Sequence, residues 1–206
     1  VEPAHAACMK ASLEAGKVVS LPSAVTIADG TAVKTPGDIV FPYIQKNLDD
    51  IITIEDQELI VNFLDVVENH KMVVENSGLL TVAALKHLNC KDKKVVSILS
   101  GGNMDIITLS SVVQNGLIER GRVFTVSVQL PDRPGELVNV AKIIAELKGN
   151  VIRLDHNQFV SINRNAAVEL RITMEAFGHD HKNEIVSALR ANGYDPKVEC
   201  PTSLYQ

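Results

Sequence analysis

The sequence predicts an α/β protein built of two parts, because the spacing of its apolar residues changes near residue 120. Before that point, short apolar segments alternate with stretches of helical period, as in parallel sheets covered by helices. After Gly121, apolar and polar residues alternate in several short segments that are separated by two helical stretches. We therefore expect one part over residues 1–118 and a second over residues 122–206.

Strands and helices are expected to alternate along the first part. The acidic pair Glu55 and Asp56 predicts the start of a helix, because carboxylates favour the positive end of a helix dipole. The segment Lys94–Leu99 is apolar enough to be a strand covered on both faces in a parallel sheet. In chain order we expect strand 18–21, helix 36–47, strand 51–54, helix 55–67, helix 79–88, strand 94–99 and helix 105–119.

The second part is expected to be a four-stranded antiparallel sheet with two helices on one face. Phe124–Leu130 alternates apolar with polar side chains, which is typical of a strand with one wet face. Pro134 falls in a first helical turn, and Gly149 ends the apolar stripe of that helix. Strands near 151–154, 168–174 and 197–199, a helix from about 179 to 191 and a polar loop over 155–165 complete the order β-α-β-β-α-β, which is ferredoxin-like.

Composition excludes several classes of function. Twenty Lys and Arg against 25 Asp and Glu leave a charge of −5, so a basic nucleic-acid footprint is not expected. Cys8, Cys90 and Cys200 are far apart and form no Cys-x-x-Cys pair, which favours a reducing cytoplasm over a disulfide framework or zinc ribbon. No apolar run predicts a membrane span. His179 and His181 are expected to be solvated residues of a first helical turn rather than a metal pair.

Ser100, Gly101, Gly102 and Asn103 directly follow the apolar segment Lys94–Leu99 and are the most informative local feature. Ligands of open α/β sheets bind beyond the carboxyl ends of strands, and two glycines there let the backbone approach a ligand closely. The alternative is a glycine-rich turn in which Asn103 caps the following helix. These four residues alone leave both interpretations open.

Six short motifs occur in one order and with one set of spacings. They are 26–30 (TIADG), 32–34 (AVK), 36–37 (PG), 49–51 (DDI), 75–78 (ENSG) and 100–105 (SGGNMD). Together they resemble the carboxyl-terminal half of the catalytic domain of the threonine dehydratases (threonine ammonia-lyases), over about residues 1–118. That family has the tryptophan-synthase-β-like fold, depends on pyridoxal 5'-phosphate and includes serine dehydratases and serine racemase.

The resemblance implies a cofactor site and a reaction. Ser100 matches a serine whose hydroxyl hydrogen-bonds the pyridine nitrogen of the cofactor, and Gly101 and Gly102 would leave room beside the ring. Glu75 matches an acidic position near the site, although a surface carboxylate is an equal interpretation. The implied reaction converts L-threonine or L-serine to 2-oxobutanoate or pyruvate and ammonia. The alternative is a non-catalytic module that binds amino acids and pairs subunits.

Other family features are missing or altered. Glu2 and Ala6 match two cation-ligating positions of racemase relatives, but the third carboxylate falls at Cys8, and a thiol suits a hard cation poorly, so no metal is expected. The Schiff-base lysine, which the family carries in a Ser-x-Lys-x-Arg-like motif, and the glycine-rich phosphate loop are absent. By order both would precede Val1. The chain is therefore expected to be part of the enzyme and inactive by itself.

Residues 132–137 (DRPGEL) resemble the first strand-to-helix loop of an ACT domain, a small amino-acid-sensing module. A helix amino end offers free N–H groups to a carboxylate. The resemblance implies an effector, isoleucine or valine, and a homo-oligomer, dimer or tetramer, without nucleic-acid or membrane partners. In the alternative interpretation, the loop only shapes a helix start and the module only pairs subunits. The implied effector residues are Asp132, Pro134, Gly135, Leu137 and Asn150.

Overall fold

The structure, a computed structural model, describes residues 1–157 and 168–201. The chain folds into two compact units, Val1–Gly116 (unit 1) and Leu117–Gln206 (unit 2). Among the residues described, no helix combines the length and the apolar character that crossing a membrane requires.

Unit 1 is mainly helical, with one short parallel strand pair. Strands β1 and β2 pair Glu2 with Thr53 and Pro3 with Ile54. The elements are β1 (Glu2–Pro3), α1 (Cys8–Ala15), α2 (Phe41–Asn47), β2 (Thr53–Ile54), α3 (Asp56–Asp65), α4 (Leu80–Ala83) and α5 (Ile106–Glu119), with 3-10 turns at Asn76–Leu79 and Ala84–His87.

Helix α3 begins where its sequence predicts. Glu55 is the N-cap of a capping box, in which the Glu58 carboxylate accepts the backbone N–H of Glu55 at 3.3 Å. One face of the helix is buried through Leu59, Phe63 and Leu64, at the predicted helical period. The capping box and the apolar stripe together allow this helix and its buried face to be predicted from the local sequence.

The two strands predicted at 18–21 and 94–99 are wrong, since neither segment forms a strand in the structure. Val96 is 89% exposed, so the expected burial on both faces is wrong as well. A strand needs a neighbouring strand to pair its backbone. The segment is held instead by Thr81, whose hydroxyl donates to the carbonyl of Ile98 at 2.8 Å and whose carbonyl accepts from the Ser97 hydroxyl at 3.3 Å.

Unit 2 is an antiparallel sheet packed against two helices. Its described elements are β3 (Val123–Leu130), α6 (Glu136–Glu146), β4 (Asn150–Asn157), β5 (Val168–Glu175), α7 (His179–Ala191) and β6 (Lys197–Glu199). The strands lie in the order β4-β5-β3-β6, with every neighbouring pair antiparallel. The core joins β3 and β5 to α6 and α7 and contains Phe124, Val126, Val128, Leu130, Val140, Ile144, Leu170, Ile172, Met174, Ile185 and Leu189.

The predicted wet face of β3 is exposed at Gln129, but Thr125 and Ser127 on the same face are both buried. The Thr125 hydroxyl lies 2.8 Å from that of Thr173, and the Ser127 hydroxyl donates to the Glu169 carboxylate at 2.7 Å. Arg171 on β5 also pairs with Glu199 on β6, at 2.9 Å, on either side of the central strand β3. Polar neighbours thus cover a face that alternation alone predicts to be solvated.

Strand β4 is longer than predicted and is exposed along its length. It extends through Asn157, so the beginning of the predicted loop over 155–165 belongs to the strand. The remainder of that predicted loop lies outside the described residues. Strand β4 forms one edge of the sheet, with β5 as its neighbour.

Candidate active site

A cleft of about 380 Å³ lies in unit 1 between a loop near residue 26, the turn at Glu75–Asn76 and helix α5. The first turn of α3 anchors the loop. The Asp56 carboxylate accepts the Thr26 hydroxyl at 2.5 Å and the backbone N–H of Ile27 at 3.1 Å. The polar lining residues are Thr26, Asp29, Glu75, Asn76, Asn103, Asp105, Thr108, Ser111 and Asn115.

Glu75 lines this cleft and is held against the loop that contains Gly101. Its backbone N–H donates to the carbonyl of Gly101 at 3.4 Å, and its carboxylate accepts the backbone N–H of Asn103 at 3.3 Å. Gly101 has φ +81°, and a Cβ atom there would overlap the Glu75 carboxylate. Glycine is therefore the residue that fits at position 101, both for its left-handed backbone conformation and for the lack of space for a Cβ atom. The structure therefore brings Glu75 and Gly101 together, as their predicted shared site requires.

Ser100, Gly101 and Gly102 all lie outside the lining of the cleft, in the loop next to it. The Ser100 carbonyl packs against Gly78, where a Cβ atom would overlap its oxygen. Ser100 itself is exposed, and a Cβ atom at Gly102 would meet no other atom within 4 Å. The backbone of residues 100–102 thus packs against Gly78 and Glu75 on one side, and on the other side Ser100 and Gly102 have free space beside them.

Asn76 lines the cleft, although it was not among the predicted site residues. Its side chain is buried, and its amide donates to the carbonyl of Ile27 at 3.0 Å, but its carbonyl oxygen has no hydrogen-bond partner. A buried polar atom without a partner costs about 1–3 kcal/mol. The signal in the sequence was its place in the motif at 75–78.

The cap of helix α5 is Asp105, and the predicted alternative of an Asn103 cap is wrong. The Asp105 carboxylate accepts the backbone N–H groups of Ile107 and Thr108 at 2.9 and 3.0 Å, and the Thr108 hydroxyl at 2.5 Å. The Thr108 hydroxyl first, and the backbone N–H groups next, lower the pKa of Asp105. The backbone N–H of Asn103 points instead to Glu75.

The charged residues that line the cleft indicate whether it can bind the ring end or the phosphate end of pyridoxal phosphate. Asp29, Glu75 and Asp105 line it, and no Lys, Arg or His is among its lining residues. Such a wall repels a phosphate group. The adjacent loop offers a neutral hydroxyl at Ser100 and backbone without Cβ atoms at Gly101 and Gly102. These residues fit the ring end of pyridoxal phosphate, and the lining of this cleft does not fit the phosphate end.

The Glu2 carboxylate caps helix α1. It accepts the backbone N–H groups of Met9 and Lys10, each at 2.9 Å, and lies 4.0 Å from the Cys8 thiol. Burial, and then the Glu2 charge, raise the pKa of the Cys8 thiol. Both oxygens of the residue that matches a cation-ligating position are therefore occupied by the helix. Across the described residues, no group of three or more His, Cys, Asp or Glu side chains could hold a metal ion.

Cys8 is expected to react with iodoacetamide at least roughly tenfold more slowly than Cys200 near neutral pH. Cys8 is buried with a raised thiol pKa, whereas Cys200 is exposed. Peptide mass spectrometry after timed alkylation measures both rates, and denaturant should bring them together. Equal rates in the native chain would contradict this description of Cys8.

The predicted effector residues fall at opposite ends of the unit 2 sheet. Asn150 pairs with Glu175, which pairs with Val123 at the start of β3, whereas Asp132 follows the end of β3. Seven residue steps separate those ends by about 23 Å. Within one copy of the chain, Asn150 is therefore not brought together with Asp132, Pro134, Gly135 and Leu137. Gly135, with φ +99°, is the N-cap of α6, which has no side-chain cap, and the backbone N–H of Glu136 donates to the carbonyl of Arg133 at 3.4 Å.

His179 and His181 lie in the first turn of α7, as predicted, and His179 is exposed, but each ring also contacts a main-chain carbonyl. His179 Nε2 lies 2.9 Å from the carbonyl of Glu119, and His181 Nε2 lies 2.6 Å from the carbonyl of Leu147. His181 Nδ1 accepts the backbone N–H of Phe177 at 3.1 Å, which assigns the ring proton to Nε2. Both rings reach main-chain groups outside their own helix and fasten its start.

Comparisons with known proteins agree with these features. Residues 1–101 match the family model described as pyridoxal-phosphate dependent enzyme. The chain is 38% identical over 196 residues to the L-threonine ammonia-lyase of Geobacter sulfurreducens, covering 94% of this chain and 49% of that protein. It is 34% identical over 191 residues to the L-threonine ammonia-lyase of Thermotoga maritima, covering 92% and 48%.

A solved structure, the processed form of threonine deaminase isoform 2 from Solanum lycopersicum, superposes with a TM-score of 0.51 at 30% identity. That match covers 55% of this chain and 34% of that one. The chain thus spans about half the length of the curated relatives it matches. Over residues 1–101 it is similar to the pyridoxal-phosphate dependent enzymes.

Proposed function

We propose that this chain is part of a pyridoxal-phosphate-dependent L-threonine or L-serine dehydratase that an amino acid regulates. The observation that carries the proposal is similarity to L-threonine ammonia-lyases over 94% of the chain, which takes in residues of both units. The loop held by Gly78, Glu75 and Gly101 supports it, because that loop presents a neutral hydroxyl and open backbone beside a cleft.

The residues of this chain would bind and tune the ring end of the cofactor. Pyridoxal phosphate, when bound, supplies an electron-withdrawing ring that stabilises negative charge at the substrate α-carbon. The Ser100 hydroxyl would donate to the ring nitrogen and leave it largely unprotonated, where a carboxylate would hold a proton on it. A weaker electron sink favours loss of the β-hydroxyl over competing reactions. Gly102, where a Cβ atom would meet no neighbour within 4 Å, would allow the ring to lie close to the backbone, whereas the Glu75 carboxylate fills that space at Gly101.

The reaction requires no oxidant or reductant. The β-hydroxyl of threonine leaves as water, and a water molecule later displaces ammonia. Threonine therefore gives 2-oxobutanoate and ammonia with no net change in water, and serine gives pyruvate in the same way. Positions that would carry the Schiff-base lysine and the phosphate loop are not among the motifs of this chain, so the complete reading frame is the protein to assay.

Ser100→Ala is expected to lower turnover of L-threonine roughly tenfold or more in the product of the complete reading frame, because it removes the hydrogen bond to the ring nitrogen. The absorption maximum of the bound cofactor should also shift, which a purely structural role would not produce. Ser110→Ala, an exposed change on α5, is the matched control and should leave both unchanged. Unchanged turnover and spectrum in Ser100→Ala would count against the assigned role.

We propose that unit 2 acts like an ACT domain, as a module that binds a regulatory amino acid. Its β-α-β-β-α-β order, its sheet order and the lack of a side-chain cap on α6 at Gly135 support binding of isoleucine or valine at Asp132, Pro134, Gly135 and Leu137. The exposed edge β4 supports a homo-oligomer, since Val151, Ile152 and Leu154 are each about 40% exposed there and would be covered by a second copy.

Isoleucine or valine is expected to raise the midpoint of thermal unfolding, because a ligand that binds only the folded state stabilises it. At a ligand concentration of about 100 times Kd the gain is about 2.7 kcal/mol. The check is a titration followed by thermal unfolding, with threonine as a third ligand. No stabilisation by any of the three would remove the effector proposal. Stabilisation without cofactor binding or turnover in the complete protein would favour the non-catalytic module.

A further inference from the structure

A series of contacts in unit 1 runs from the start of helix α3 to the loop that carries Ser100. Three segments form it in order, and we name them loop A (residues 26–31), turn B (residues 75–79) and loop C (residues 100–104). Each is irregular or a 3-10 turn in the structure. Their positions therefore depend on the contacts that each segment makes with its neighbours.

Asp56 anchors loop A to helix α3. It is the first residue of that helix, whose Leu59 and Phe63 are fully buried. One oxygen of the Asp56 carboxylate accepts the Thr26 hydroxyl at 2.5 Å, and the other accepts the backbone N–H of Ile27 at 3.1 Å. Hydrogen bonds to a charged group are the stronger kind, so two of them on adjacent residues fix loop A to a packed helix.

Loop A contacts turn B in two places. The Asn76 amide donates to the carbonyl of Ile27 at 3.0 Å. Gly30 packs against the same turn, because a Cβ atom there would lie 2.8 Å from the Ser77 hydroxyl oxygen and 3.8 Å from the Glu75 carboxylate. Ile27 is thus bonded to α3 through its N–H and to turn B through its carbonyl.

Turn B in turn holds loop C. The Glu75 carboxylate accepts the backbone N–H of Asn103 at 3.3 Å and fills the space beside Gly101. Gly78 packs against the Ser100 carbonyl, where a Cβ atom would overlap the oxygen. A displacement of turn B therefore displaces the backbone that carries the Ser100 hydroxyl.

We propose that Asp56 is a positioning residue, which acts through loop A and turn B on the place where loop C holds the Ser100 hydroxyl. Asp56 is not among the residues that line the cleft, so it acts through other residues. A small misplacement of a group that must meet a ligand is costly, which is why a remote anchor matters. The consequence for the cofactor rests on the proposed function, whereas the relay from α3 to loop C concerns unit 1 alone.

Hydrogen exchange in the cofactor-free product of the complete reading frame tests the relay. Asp56→Asn keeps the size of the side chain but replaces one acceptor oxygen with a donor, so only one of the two bonds to loop A survives. We expect exchange to quicken roughly tenfold at loop A and also at loop C. Asp38→Asn, the same change at an exposed position outside these segments, should quicken neither. Faster exchange at loop A with unchanged exchange at loop C would overturn the proposal.

Variants of Thr26 separate the anchor from a general loosening of α3. Thr26→Val removes the hydroxyl on the loop side and leaves the Asp56 charge at the start of the helix, whereas Thr26→Ser keeps a hydroxyl. We expect Thr26→Val to quicken exchange at loop C, with a less than additive effect in combination with Asp56→Asn, and Thr26→Ser to restore the original exchange. An effect of Asp56→Asn at loop C that Thr26→Val does not share would contradict the anchor.

Gly30→Ala interrupts the series one step later. The added Cβ would press on Ser77, so exchange should quicken at turn B and loop C. Gly37→Ala is the matched control, since its Cβ would lie 3.9 Å from Val40, an ordinary contact. Equal exchange at loop C in these two variants would contradict the seating of turn B on loop A.

The absorption of bound pyridoxal 5'-phosphate tests the consequence for Ser100. Asp56→Asn is expected to shift the absorption maximum in the same direction as Ser100→Ala, and to lower kcat for L-threonine roughly threefold or more with a smaller change in KM. Faster exchange at loop C with an unchanged spectrum and kcat would overturn the positioning of Ser100. Faster exchange at loop C in a protein that binds no cofactor would support the relay and contradict the proposed dehydratase, so the two failures are distinguishable.

Discussion

Alanine at position 78 is expected to destabilise unit 1 by about 1–3 kcal/mol or more, through overpacking of a buried position. The added Cβ would overlap the Ser100 carbonyl oxygen and approach Val74 Cγ1 to 2.8 Å. The carbonyl belongs to the backbone of the loop that carries Ser100 and Gly101, so relief requires that loop to move. We expect faster hydrogen exchange over residues 74–103 and a lower urea midpoint.

Gly102→Ala is the matched control, because a Cβ atom there has no neighbour within 4 Å and Gly102 does not have a left-handed backbone. It should change the free energy of unfolding by no more than about 0.5 kcal/mol. The comparison separates steric overlap from the general cost of replacing a glycine. Equal stability of the two variants would contradict the packing of Gly78 against Ser100.

Leu170→Ala is expected to destabilise unit 2 by about 2–5 kcal/mol, because it leaves a cavity in the core. Leu170 is fully buried on β5, among side chains of β3, α6 and α7. Urea unfolding and hydrogen exchange over residues 123–175 measure the effect. Leu154→Ala on the edge strand β4 is the control, since that side chain is 40% exposed and should cost about 1 kcal/mol or less. A larger loss in Leu154→Ala than in Leu170→Ala would contradict the core as described.

The fold could be predicted where local signals are complete. Helix α3 has a capping box and an apolar stripe, and β5 alternates fully buried with more exposed positions, so both follow from neighbouring residues. The strand predicted at 94–99 was wrong because a strand forms only beside a partner strand, and the local sequence does not show whether a partner is present. The prediction that Thr125 and Ser127 of β3 are solvated was wrong because Thr173 and Glu169 on the neighbouring strand contact them.

The motifs at 75–78 and 100–105 mark two segments that the structure brings together, but the sequence does not predict the contacts between them. The motif at 100–105 marked the loop, yet the contact between Gly101 and Glu75 joins residues far apart in the chain. The unpartnered oxygen of Asn76 depends on burial, which a single polar residue in a motif does not reveal. The separation of Asn150 from Asp132 follows from strand register, so it too became visible only in the structure.

One measurement tests the central proposal most directly. The product of the complete reading frame is incubated with pyridoxal 5'-phosphate and L-threonine, and cofactor absorption, 2-oxobutanoate and ammonia are followed together. We predict a bound-cofactor absorption band and equal amounts of the two products. A protein that folds, shows no such band and releases neither product would contradict the assignment of this chain to a threonine or serine dehydratase.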